Sequence, residues 1–404
     1  MLLHYGGKEC FKDDCDKMVQ VLQSHQVDLT VATEPLALHV SPLLHKYFGE
    51  MSAHDNWREH LTPLPRASRF RIYANFFYLV LKSCGLRLLG KYYPLVDGWS
   101  MSTSLMLQFI VSVLDNDRNT TRAMLNSSAK LINLLIKGKP VFYQGEGFCG
   151  YWFGKELTSD TDPIILYTHG GGFTLCTAQS YLGGIADIQA CLSKKYGVNA
   201  RVFSVEYTLA PEAKFPTQIS EVVAAYEYVS SQFPNNPILL MGDSAGGNLV
   251  LTNLLSLKAK EDIRRPSAAI LISPWVTASV TEFPPSYAEC EANDIVHIRH
   301  LKHHLDAYLP EDATDEIFKN PLISPIYGDF TGCCPMLLHY GGKECFKDDC
   351  EKMAKVLKSQ QVDVTVAIEP LAPHISPLFR RFFGDMSVRG CEVIAEFIAA
   401  VCRP

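Results

Sequence analysis

The most constraining stretch of the chain is five residues long, Gly242-Asp243-Ser244-Ala245-Gly246. The apolar run Ile238–Met241 precedes it, and a helix-patterned stretch, Gly246–Lys260, follows. Glycine two places to either side of a serine lets the backbone pass from strand to helix within one residue. Ile238–Met241 shows no polar alternation, so the strand it forms must be covered on both faces, as in a parallel sheet. The turn therefore calls for a layered architecture with helices on either side of the sheet. It also leaves the Ser244 hydroxyl above the end of its strand, backed by the positive end of a helix.

From about residue 140 the chain keeps to that plan. Pro140–Gly147 and Tyr151–Leu157 read as two short strands joined by a turn. Ile164–Thr168, Arg201–Tyr207, Ala268–Ile272, Met336–Tyr340 and Val362–Ile368 read as further strands. Helices are predicted at Leu182–Tyr196, Gln218–Ser231 and Asp349–Gln360, with a closing helix at Glu392–Val401. This alternation predicts the α/β class, a mostly parallel sheet with helices on both faces and its site at the carboxyl ends of the strands. Residues 275–330 do not alternate and, with 53–139, are read as a helical cap.

The other chemistry-bearing residues fall at those strand ends. His169-Gly170-Gly171-Gly172-Phe173 follows Ile164–Thr168. Successive glycines allow backbone N–H groups to turn toward a substrate oxygen. Gly170, Gly171 and Gly172, with the N–H of Ala245, are the candidate oxyanion-hole donors, each contributing about 3 kcal/mol to such a site. His169 is read as orienting the loop. Behind a serine in such a turn, an acid and then a histidine should follow in chain order. His374 follows the last strand, and Glu344 follows its neighbour. Glu344 would hold the His374 tautomer. Asp348 and Asp349 are its rivals, at a helix start where carboxylates commonly cap.

Residues 1–52 repeat residues 336–387 without gaps, with 38 of 52 positions identical. Glu9 and His39 stand where Glu344 and His374 do, but no second serine turn accompanies them, so both are expected to be idle. The first copy also lacks the closing helix. It is read as a remnant of tandem duplication, or of a misjoined gene, lying outside the main core. The alternative is a swap of the first copy into the sheet. The expected organisation is thus 1–52, a partial duplicate; 53–139, linker and cap helices; and 140–404, the catalytic domain, with a cap insertion at about 275–330.

The net charge of −6 and the lack of a basic run argue against nucleic-acid binding. The 13 cysteines are scattered without a CxxC pair and are read as reduced thiols. No metal and no cofactor are expected. The first residues lack the basic n-region and long apolar h-region of a secretory signal, so none is expected, and no uncharged apolar run of about 18 residues occurs. Tyr73–Leu89 and Met101–Leu114 come nearest, as helices lying on a membrane surface or as cap helices. The expected location is the cytoplasm or the periphery of the endoplasmic reticulum membrane.

Together HGGGF at 169–173, VEYTLAPEAKFP at 205–216 and GDSAGG at 242–247 resemble the hormone-sensitive-lipase branch of the α/β-hydrolase fold, over roughly residues 140–404. More loosely, the N-terminal apolar stretches are similar to those of fungal steryl acetyl hydrolases, relatives of arylacetamide deacetylase. The resemblance implies Ser244 as nucleophile, Gly171, Gly172 and Ala245 as oxyanion donors with Gly170 adjoining, and Tyr207 and Glu212 as support beneath the site. Glu344 departs from the aspartate of many members, and the Ile-Ser pair after His374 departs from their usual Val-Phe-type pair. The implied activity is that of a serine carboxylic ester hydrolase, deacetylase- or lipase-like. It would act through an acyl-enzyme on a small hydrophobic ester, a short acyl ester of a hydrophobic alcohol such as a steryl acetate. An aryl-amide or formamide hydrolase, or a non-catalytic ligand-binding protein on the same fold, are the alternatives.

Overall fold

The computed structural model describes residues 2–6, 30–34 and 66–402, apart from 135, 137, 280 and 312. They divide into two compact units, Met1–Pro94 and Leu95–Pro404. In the first, β1 (Leu2–Gly6) and β2 (Thr30–Glu34) pair in parallel as a two-stranded sheet of their own. Helix α1 (Arg66–Leu88) takes in most of the apolar stretch 73–89. Glu9 and His39 lie outside the described residues.

The second unit opens with α2 (Met101–Leu114) and α3 (Arg118–Asn133). Each start is written locally: the Ser100 hydroxyl accepts the Thr103 N–H at 3.0 Å, and the Asp117 carboxylate accepts the Thr120 N–H at 3.0 Å. Then come β3 (Val141–Gly145), β4 (Phe148–Phe153), β5 (Ile164–Thr168), α4 (Leu182–Tyr196), β6 (Arg201–Val205), α5 (Thr217–Gln232), β7 (Ile238–Asp243), α6 (Ala245–Lys258) and β8 (Ala268–Ile272). The chain leaves the sheet for α7 (Pro285–Cys290) and α8 (Ile298–Tyr308). It returns as β9 (Met336–Gly341), α9 (Lys347–Ser359) and β10 (Val364–Glu369), and ends in α10 (Arg380–Phe383) and α11 (Asp385–Cys402).

The eight strands lie in the order β10-β9-β8-β7-β5-β6-β4-β3. All neighbours are parallel except β3 with β4 and β4 with β6. Strands β5, β7 and β8 are buried at every residue, which is why their sequences run apolar without alternation. Alternate residues face opposite cores. Leu166, Leu240 and Leu271 pack toward α5 and α6, while Tyr167, Met241 and Ile270 pack toward α4 and α11. Helix α9 buries Cys350, Met353, Ala354 and Leu357, the spacing of one helical stripe. The closing helix is longer than its apolar pattern suggests and begins at Asp385.

β9 and β10 belong to the second copy of the repeat, so that copy completes the large sheet and the swap is not adopted. The stretch 53–139 is divided: α1 lies in the first unit, whereas α2 and α3 belong with the large sheet. One tie is Arg122 on α3, whose guanidinium donates to the carbonyls of Thr174 at 2.6 Å and Ala210 at 2.8 Å. It also pairs with Glu212. Glu212 is therefore not beneath the site as the resemblance implies. Its side chain is 55% exposed and clasps a cap helix at the surface.

Candidate active site

Ser244 sits between β7 and α6 at φ 51° and ψ −120°, a strained conformation for a residue with a side chain. Neighbouring backbone holds it there: the Ser244 N–H donates to the Ile272 carbonyl at 3.0 Å, and its own carbonyl accepts the Trp275 N–H at 2.9 Å. The two flanking glycines are required by space. A Cβ on Gly242 would stand 2.4 Å from the Gly246 carbonyl oxygen, and one on Gly246 2.0 Å from that of Thr168. Asp243 is buried beneath the turn, where burial pushes its pKa up to about 6 against the hydrogen bonds from Tyr167 and Gly170.

The glycine loop after β5 lies beside this turn. Gly171 and Gly172 have φ of 110° and 59°, open to glycine at little cost. Their N–H groups and that of Ala245, the first residue of α6, donate to no acceptor among the described residues. The Gly170 N–H, in contrast, donates to Asp243 Oδ1 at 2.9 Å. Gly170 is thus corrected from donor to brace, since a backbone N–H already bonded inside the protein is not offered to a substrate. His169 is buried, stacks on Tyr207 with ring centroids 4.2 Å apart, and holds the Gly170 carbonyl through Nδ1 at 2.8 Å. Burial lowers its pKa to about 4, so the ring is neutral. The Tyr207 hydroxyl donates to the His169 carbonyl at 2.7 Å, which places Tyr207 where it was expected.

His374 and Glu344 come together from the loops after β10 and β9. His374 Nδ1 lies 3.6 Å from Glu344 Oε1, both groups fully enclosed. That separation is a charge contact somewhat longer than a hydrogen bond, as unliganded hydrolase sites often show. Glu344 Oε2 accepts the Gly341 N–H at 2.8 Å and the Ser273 hydroxyl at 2.7 Å, which fixes the carboxylate. The rivals face elsewhere: Asp348 accepts the Ser286 N–H and Asp349 the Tyr287 hydroxyl, each at 2.9 Å and each toward α7. Asp294, which no sequence pattern marks, is buried beside Glu344 and His374; its carboxylate receives backbone N–H groups from the loops that carry both.

Burial alone would lower the His374 pKa, but the Glu344 carboxylate, with the charges of Asp294 and Asp243, raises it above the ordinary value. A histidine base must be neutral to take a proton, so activity should fall as pH drops through this raised pKa. Glu344→Gln removes the largest raising influence. Its acid limb in kcat/KM should move to lower pH, and kcat should fall by about 10²- to 10⁴-fold. A pH–rate profile of the variant checks both; an unmoved limb would detach Glu344 from His374.

Ser244, Gly171, Gly172 and His374 all line one cavity of about 360 Å³. Its walls are largely apolar, among them Ile110 and Leu114 of α2, Leu125 of α3, Trp275 and Phe379. Helix α8 adds His300, His303 and His304. Two of these are already engaged, His300 with Asp115 at 2.9 Å and His304 with Thr174 at 2.6 Å. No group of three or more potential metal ligands converges among the described residues. A larger cavity, about 660 Å³, lies on the far side of Tyr181 and Phe379, which line both.

A family model described as alpha/beta hydrolase fold matches residues 165–377. The chain belongs to the α/β-hydrolase fold family. It is 31% identical over 213 residues to an acetyl-hydrolase of Streptomyces hygroscopicus, covering 52% of this chain and 67% of that one. It is 32% identical over 132 residues to steryl acetyl hydrolase 1 of Saccharomyces cerevisiae, covering 33% of this chain and 31% of that one. The fold is similar to a solved esterase from the bacterial hormone-sensitive lipase family, with a TM-score of 0.66 and 24% identity over 76% of this chain and all of the other.

Proposed function

We propose that the chain is a carboxylic ester hydrolase that works through an acyl-enzyme on Ser244. The observation that carries this reading is a strained serine at a helix start, opening on the same apolar cavity as His374, behind which the buried Glu344 carboxylate lies. His374 takes the Ser244 proton as the hydroxyl oxygen bonds to the substrate's acyl carbon. The N–H groups of Gly171, Gly172 and Ala245 receive the developing oxyanion. His374 then passes the proton to the departing alcohol. Water repeats the sequence in reverse and releases the acid.

The apolar walls favour a hydrophobic alcohol, and the modest cavity favours a short acyl group. The names of the relatives point to acetates, steryl acetates among them. A panel of p-nitrophenyl acetate, longer acyl esters, steryl acetates and aryl amides tests the reading, with Ser244→Ala as blank. Hydrolysis of acetates well above that blank is the expected result. Equal rates for protein and blank would reject the esterase reading, and turnover of amides alone would change the bond assigned.

The first repeat is read as dispensable. Deletion of residues 1–52 is expected to leave kcat/KM for p-nitrophenyl acetate within about twofold, because residues 336–402 already supply the acid and base loops. A tenfold loss would give the first copy a role in the site.

A further inference from the structure

Asp294 lies just before α8, in the cap insertion, some 50 residues ahead of the acid loop and 80 ahead of the histidine. It is 0% exposed. One carboxylate oxygen, Oδ2, accepts the Cys345 N–H at 2.7 Å. The other, Oδ1, accepts the His374 N–H at 3.0 Å and the Ile295 N–H at 2.8 Å. Cys345 directly follows Glu344, so a single carboxylate grips the backbone at both the acid and the base.

A buried charge is costly unless hydrogen bonds satisfy it, and a fully satisfied one rigidifies what it binds. No apolar side chain could receive an N–H group from each of two loops together with that of its own neighbour. Nor does Asp294 merely cap a helix: two of its three donors lie outside α8 and its approach.

We propose that Asp294 is a positioning residue, a cap-borne carboxylate that sets the spacing between Glu344 and His374 and adds a second negative charge beside the imidazole. This deepens the esterase reading and rests on it. The charged groups that face His374 are Glu344 from the β9 loop, Asp294 from the cap and Asp243 from β7, all three acidic. Removing one of them leaves the protonated imidazole less stabilised, so its pKa must fall.

Asp294→Asn keeps the shape and one acceptor oxygen but turns an NH2 toward a backbone N–H. The expected result is a kcat at least about tenfold lower with KM within about threefold, since the cavity walls are untouched. The acid limb of kcat/KM should also move to lower pH. Asp348→Asn is the structural control, because Asp348 ties the first turn of α9, just past the acid loop, to α7 without reaching His374. It should lose stability and leave kcat and the acid limb in place. Should Asp294→Asn fold poorly, the ring-proton NMR titration of His374 in Asp294→Ser, compared with wild type, reads the same shift without turnover. Wild-type kcat and an unmoved acid limb in folded Asp294→Asn, or an unmoved titration in Asp294→Ser, would overturn the proposal. Absence of Ser244-dependent hydrolysis in the wild type would instead overturn the esterase reading beneath it.

Discussion

Ser244→Ala is expected to lower kcat on p-nitrophenyl acetate by about 10⁴- to 10⁶-fold, to the level left by the oxyanion donors and binding alone. The loss should be one of chemistry only. The residue keeps its strained backbone, and the neighbouring hydrogen bonds to Ile272 and from Trp275 are main-chain bonds that alanine preserves. Its Tm should therefore stay within about 3 °C of wild type. Labelling by a fluorophosphonate should disappear in parallel. A variant that still turns over ester or takes up the label would place the nucleophile elsewhere.

Gly246→Ala should produce the second large effect, and here stability and activity should fail together. The added methyl would meet the Thr168 carbonyl oxygen at 2.0 Å and that of His169 at 2.6 Å. Those carbonyls belong to the end of β5 and the glycine loop, and the helix behind Gly246 is buried along its whole first turn. Neither side can yield without moving the sheet. A loss of at least about 3 kcal/mol is expected, read as a lower denaturant midpoint. Gly197→Ala is the comparison. It sits at positive φ, 70°, as Gly246 does not, and its added methyl would meet nothing within 4 Å. It should cost only about 1 kcal/mol. Equal midpoints for the two variants would contradict the packing described for the turn.

The sheet and the serine turn were readable in advance because their causes are local. Strands buried on both faces must be apolar throughout, and a turn this tight admits only glycine at 242 and 246. Glu344 could be preferred to Asp348 and Asp349 on position alone, because the latter begin a helix. What sequence could not separate was the use of individual N–H groups. Three glycines at 170–172 look alike, but the first is turned inward by Asp243, a residue more than 70 positions away. Glu212 was misplaced for a related reason. Its motif sits beside the site, but its partner, Arg122, is carried in by a cap helix. Asp294 was hidden altogether. Two of its three donors come from loops 51 and 80 residues further on, and neither periodicity nor spacing marks a carboxylate whose partners lie so far along the chain. The cap also divided unevenly, since nothing in residues 53–139 marks where one compact unit ends and the next begins.

The duplicated segment carries a lesson about where pairing information resides. In the small sheet Leu2 faces Thr30 and Gly6 faces Glu34; in the large one Leu337 faces Thr365 and Gly341 faces Glu369. These are corresponding residues of the two copies, matched pair for pair. One copy has six further strands alongside it, and among the described residues the other forms a sheet of two. The alignment of the two strands therefore does not need the surrounding sheet as a template. It is a property of the segment itself, which makes that segment a transferable part: a piece of scaffold that brings its own ruler wherever the gene places it.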